Sequence, residues 1–111
     1  MNAITINMSD NSEGEMYLKT HRSGKEVLIA VCDCEILGKR FEEGALHVEV
    51  CDDFFGNVKA TPEEVERSLS KATIANFVGQ KAVNFAIKLG YVDKENVLVI
   101  DGVPCAQMVL M

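Results

Sequence analysis

No apolar run in this 111-residue chain is longer than Val27 to Cys32, far short of the roughly 20 residues a membrane-spanning helix needs. No Lys or Arg precedes Ile4, and no apolar core follows it, so a secretory signal is also lacking. Together these absences argue for a cytoplasmic protein. The common enzyme signatures are missing as well: there is no G-x-S-x-G, G-x-x-x-x-G-K, H-E-x-x-H or G-x-G-x-x-G. The four cysteines form no C-x₂₋₄-C knuckle of the kind that holds structural zinc, since Cys32 and Cys34 are two apart and Cys51 and Cys105 stand alone. In a reducing cytosol such cysteines behave as small buried hydrophobes. No metal or other cofactor is assigned.

What is present suits one folded domain. The chain is 48% apolar, and a domain of this length buries roughly two-thirds of its unfolded surface, enough to fold without disulfides. The net charge of −6 is uneven: residues 1–15 hold Asp10, Glu13 and Glu15 against no cation, and the remaining −3 lies in 16–111. An acidic molecule repels phosphate backbones at long range, which disfavours general nucleic-acid binding but leaves room for a local basic face.

Residues 9–15 are polar and acidic, so 1–15 reads as a flexible leader ahead of a single domain over 16–111. Met16, which opens the first strand-like stretch, is an alternative natural start. Arg22-Ser23-Gly24-Lys25 is a turn, followed by the apolar Glu26 to Cys32, and the two strands make a hairpin with the second buried on both faces. Asp33 is placed to cap a short helical turn ended by Gly38. Lys39 to Gly44 reads as a charged connection, Ala45 to Cys51 as a half-buried strand, and Asp52 to Asn57 as a loop.

Thr61-Pro62-Glu63-Glu64 is a capping box with proline at the first helical position. It predicts a helix that buries Val65, Leu69 and Ala72, then turns apolar all round through Ile74 to Val78 as it enters the core. Gly79 breaks it, a second helix runs from Gln80 to Leu89, and Gly90 caps that helix. Val97 to Ile100 reads as a central strand, and Asp101-Gly102 as a hairpin turn. Val103 to about Leu110 reads as a last strand, with Pro104 where an edge tolerates it. The order β-β-β-α-α-β-β predicts an α+β fold, a mixed or antiparallel sheet with two helices packed on one face.

Few residues invite a chemical role. Cys32 is the candidate reactive thiol, sharing a strand-end face with Cys34, and it would need His21 or His47 nearby to activate it; the favoured reading makes both cysteines packing residues. His47 and Glu49 share a face near Asp52 and Asp53, as a solvated strand face also would. Asn76, inside an apolar run, requires hydrogen-bond partners and is a candidate pocket residue. Of Phe54 and Phe55, one is expected in the core and one at a partner contact. Arg67, Lys71, Lys81 and Lys88 are candidates for a shallow basic patch, the alternative being the solvated face of two helices.

MYLKTHRSGKEVLIAVCD, the GKRFEEG turn, ATIANFVG and the closing IDGVPCAQ together resemble a small archaeal family, domain of unknown function 424, over Met16 to Met111. The resemblance implies an archaeal, cytosolic protein with a household role and carries over no catalytic residues. The leading expectation is a non-catalytic binding module associated with translation or RNA machinery, its partner being RNA, a ribosome or a protein. The competing one is a thiol-dependent enzyme or redox protein centred on Cys32.

Overall fold

Residues 14–110 are described by a computed structural model. The first two strands, β1 (Met16–Ser23) and β2 (Glu26–Asp33), form the expected hairpin, joined by Gly24 and Lys25, with Gly24 at φ 60° as the tight turn requires. Every residue from Ile29 to Asp33 is buried, so β2 is indeed covered on both faces. A 3₁₀ turn follows at Cys34–Ile36. The expected connection Lys39 to Gly44 instead contains a strand, β3 (Arg40–Glu43), which pairs with β4 (Leu46–Glu49) as a separate two-stranded ribbon. Phe41 and Val48 point inward from it, and Phe41 is the one apolar side chain of β3, too weak a periodicity to mark that strand amid its charges. Asp52 to Asn57, expected as a loop, holds a one-turn helix, α1 (Asp52–Phe55).

The short β5 (Lys59–Ala60) leads into α2 (Pro62–Leu69). The capping box is formed in both directions: Glu64 N–H donates to Thr61 Oγ1 at 3.2 Å, and Thr61 N–H donates to Glu64 Oε1 at 2.8 Å. Val65, Leu69 and Ala72 are buried as expected.

The largest correction concerns Ile74 to Val78. It is a strand, β6 (Ile74–Val78), not the continuation of a helix. Two observations account for this. Thr73 is tied to β2 by its N–H to Val27 O at 2.8 Å and by its Oγ1, which accepts Val27 N–H at 2.8 Å. A run apolar all round also fits a strand with sheet on both sides and layers on both faces, which is where β6 lies. Gly79 therefore begins a helix, α3 (Gln80–Lys88), instead of breaking one. Gly90, at φ 87°, ends α3 as predicted, with Tyr91 N–H to Ala86 O and Gly90 N–H to Ile87 O.

After a second 3₁₀ turn (Lys94–Asn96), β7 (Leu98–Ile100) and β8 (Val103–Val109) close the main sheet, whose order is β5-β1-β2-β6-β8-β7. β2 and β6 run parallel and the other pairings are antiparallel, so the sheet is mixed and the class α+β. The expectation of a central strand at Val97 to Ile100 is overturned: β7 is an edge, with Leu98 and Val99 about half exposed. Pro104 in turn lies inside the sheet, between β6 and β7. Its carbonyl accepts Gly79 N–H at 2.9 Å, while the Gly79 carbonyl accepts Val83 N–H within α3. The missing proline N–H thus leaves no carbonyl of Gly79 waiting for it.

Both longer helices lie on one face, over Ile29, Val31, Ala75 and Phe77. The opposite face carries a smaller cluster of Ala30, Cys32 and Val78, covered by α1 and the β3–β4 ribbon. Among the described residues no helix is long and apolar enough to cross a membrane.

Candidate anion-binding clefts on the helix face

The two parallel strands end side by side at Asp33 and Val78, and their onward connections leave in opposite directions. Such a switch point in an open sheet leaves a crevice beyond the strand ends, where ligands often bind. Here the crevice is filled from within. Asp33, 3% exposed, accepts Lys81 N–H at 3.0 Å and Ala82 N–H at 2.8 Å, satisfying the first turn of α3 from the neighbouring strand. Its expected role as cap of the following turn is not made: it sits at that position without a side-chain bond. Gly79, at φ 111°, makes room, because a Cβ there would fall within 2.7 Å of both carboxylate oxygens. Burial pushes the Asp33 carboxyl above its ordinary value, against the pull of the two N–H bonds. The Lys81 and Ala82 N–H groups, already holding a carboxylate, are not offered to a phosphate.

Beside this cap lies a cleft of about 480 Å³ between the starts of α2 and α3. Lys81 and Lys88 line it with the Asn84 amide, over Met16, Pro62 and Phe85, and no carboxylate is among these residues. Gly14, also buried, packs against Pro62 at its edge. Arg67 and Lys71 occupy a different position, a notch of about 120 Å³ on the far side of α2, together with Arg22 of β1. The four basic residues expected as a patch therefore lie in two clefts of the helix face. Arg22, Ser68 and Asn84 were not among the candidates; Arg22 had been read only as part of a turn, and nothing local marks it otherwise.

The remaining candidates lie on the opposite face, away from these clefts. Asn76 stands half-buried on β6 between Ala30 and Gln107, not on a helix. No fully buried side-chain nitrogen or oxygen lacks a partner among the described residues, so the half-buried Asn76 amide is not a buried, unsatisfied group. Phe55 is in the core, as one of the pair had to be. Phe54 stacks on His21 with ring centroids 5.0 Å apart, and His21 Nε2 lies 2.8 Å from Phe54 O, which fixes this nitrogen as the donor. With Lys19 Nζ donating to Asp53 O at 2.8 Å, β1 satisfies two carbonyls of α1. Phe54 is thus held half-buried against the cluster on this face.

The thiols are poorly set for chemistry. Cys32 is fully buried, and desolvation with the nearby Asp33 charge pushes its pKa up to about 12. A thiol kept neutral is a weak nucleophile. His21 is engaged by Phe54, and His47 sits exposed on the ribbon opposite Glu42. Burial also raises the Cys34 thiol, which donates to Glu15 O at 3.6 Å, although Lys59 and Lys81 pull in the other direction. Among the described residues no group of His, Cys, Asp and Glu is placed to hold a metal ion.

A family model described as "Protein of unknown function (DUF424)" matches residues 21–111. The chain belongs to this family. No curated protein matches it. Among solved structures, the DUF424 chain is similar to an uncharacterized conserved protein from Methanopyrus kandleri. The two are 20% identical with a TM-score of 0.72, over 85% of this chain and 90% of that one. At that identity the likeness establishes a shared fold and no more.

Proposed function

We propose that this DUF424 protein is a cytoplasmic, non-catalytic binding module that engages single-stranded RNA, in the setting of the translation machinery, through its helix face. The observation that carries the reading is the cleft beside α3. Two lysines and an amide border an apolar floor of Met16, Pro62 and Phe85, without a carboxylate in the lining. Cations beside an apolar surface suit a nucleotide, whose phosphate and base need opposite environments. The net charge of −6 confines such binding to one face and makes it sensitive to salt. No nucleophile and base stand together in this cleft, and the buried, neutral Cys32 favours binding over thiol chemistry.

The test is co-sedimentation with ribosomes and titration of a labelled single-stranded RNA, at low and moderate salt. Binding is expected to weaken with salt and to fall on the order of tenfold or more in Lys81→Gln/Lys88→Gln, from two lost charge-assisted contacts. Absence of binding to RNA and ribosomes at low salt would sink the reading.

A further inference from the structure

The notch between β1 and α2 has features that the cleft beside α3 does not. Thr20 and Arg22 of β1 face the helices from the same side of the strand as each other, Arg67 and Ser68 come down from α2, and Lys71 comes from the turn that follows it. Three cations and two hydroxyls thereby converge on about 120 Å³ of space whose floor is Val27 and Ile29. No carboxylate lines it. Among the described residues none of these three cations enters an ion pair. Glu26, on the strand that forms the floor, accepts Thr73 Oγ1–H at 2.7 Å instead.

The C-terminal end of a helix would ordinarily repel an anion. Here its last carbonyls are occupied. Glu66 O accepts Ser70 N–H, Arg67 O accepts Ser70 Oγ–H, Ser68 O accepts Lys71 N–H, and Leu69 O accepts Ala72 N–H.

We infer that this notch is a phosphate-binding site, with Arg22, Arg67 and Lys71 supplying charge and Thr20 and Ser68 supplying hydroxyl donors to one phosphate group of an RNA strand. The space suits a single tetrahedral anion, and guanidinium groups match its oxygens two at a time. The notch shares Arg67 and Ser68 with a groove of about 270 Å³ along α2, lined also by Lys59 and by Glu64, whose carboxylate accepts Thr61 N–H, so an extended strand has a path leading out of it. The RNA source rests on the binding reading above; the phosphate site does not.

Two probes separate them. Inorganic phosphate is titrated into isotope-labelled full-length protein while amide shifts are followed, and a labelled oligouridylate is titrated by fluorescence anisotropy. The inference expects phosphate to shift the amides of Arg22, Arg67 and Ser68. It also expects Arg22→Gln/Arg67→Gln to weaken RNA on the order of tenfold and to lower the log-affinity against log-salt slope by about 0.7 per phosphate released. Lys94→Gln, remote from the notch, serves as the control. Phosphate shifts at the notch without RNA binding would uphold the site and overturn the RNA reading. RNA binding that is indifferent to Arg22→Gln/Arg67→Gln but lost with Lys81→Gln/Lys88→Gln would overturn the notch and leave the module standing. Silence from both probes would overturn both.

Discussion

Asp33 shows how much one side chain organises here. It closes β2, sits buried, and holds the first turn of α3 across the gap between two parallel strands. Asn in its place offers one oxygen where two N–H groups need acceptors, and turns a donor toward the other. Asp33→Asn is expected to cost about 1–3 kcal/mol, the usual range for a buried polar group left without its partner. The pH dependence follows from the direction of its shift. Burial raises the folded-state pKa above the ordinary 3.8, so the folded chain holds this proton more tightly than the unfolded one. The contribution to stability is greatest below the ordinary value and declines as pH rises through the folded-state value. Urea denaturation from pH ~4 to ~7 is expected to show this decline in the natural protein. In Asp33→Asn the corresponding part of the slope disappears. An unchanged slope in the variant would assign the dependence to other carboxylates. None of this pairing was legible locally: the cap and the helix it serves are separated by 48 residues and meet only because β2 and β6 are neighbours.

At the scale of elements, the start of α2 was the most legible feature in the chain, because Thr61, Pro62 and Glu64 each act on the backbone within one turn. Its end was not. Ile74 to Val78 is apolar but for Asn76, and so short a run fits a core helix and a central strand equally. Thr73, whose bonds to Val27 commit the run to the sheet, shows its effect only once β2 is alongside. The same blindness placed Val97 to Ile100 at the sheet centre, where apolar character was taken for burial on both faces. The charged strand β3 was missed for the opposite reason, since its pairing with β4 is supported by backbone and by Arg40 with Glu49, not by alternation. The capping box offers a quantitative check on the part that was legible. Thr61→Ala removes the acceptor for Glu64 N–H and is expected to cost about 1 kcal/mol, with Thr61→Ser restoring most of it. Thermal denaturation of the two variants reads this directly, and a loss beyond ~2 kcal/mol would show that Thr61 does more than cap.

The molecule as a whole is two unequal layers on one sheet. The helix side buries the larger cluster, including Phe77, Leu69, Ile29 and Met16, while the ribbon side rests on Phe55, Val50, Cys32 and a few half-buried neighbours. Local opening is easiest where few apolar contacts and exposed hydrogen bonds coincide. That describes β3 and β4, of whose eight residues none is fully buried. The ribbon is fastened chiefly at its base, by Gly38 N–H to Val50 O and Val50 N–H to Lys39 O, and at its tip by Asp101 N–H to Glu43 Oε1. The strands β2 and β6 are paired on both edges and covered on both faces. Native-state hydrogen exchange is therefore expected to divide the amides into two groups. Those of β2 and β6 should exchange only through global unfolding, and those of β3 and β4 through a smaller opening that depends less on denaturant. Glu43→Gln, which weakens the tip contact, should speed the ribbon alone. Equal acceleration of β2 would mean instead that the two layers unfold as one, and the helix-face clefts could not then be separated energetically from the ribbon behind them.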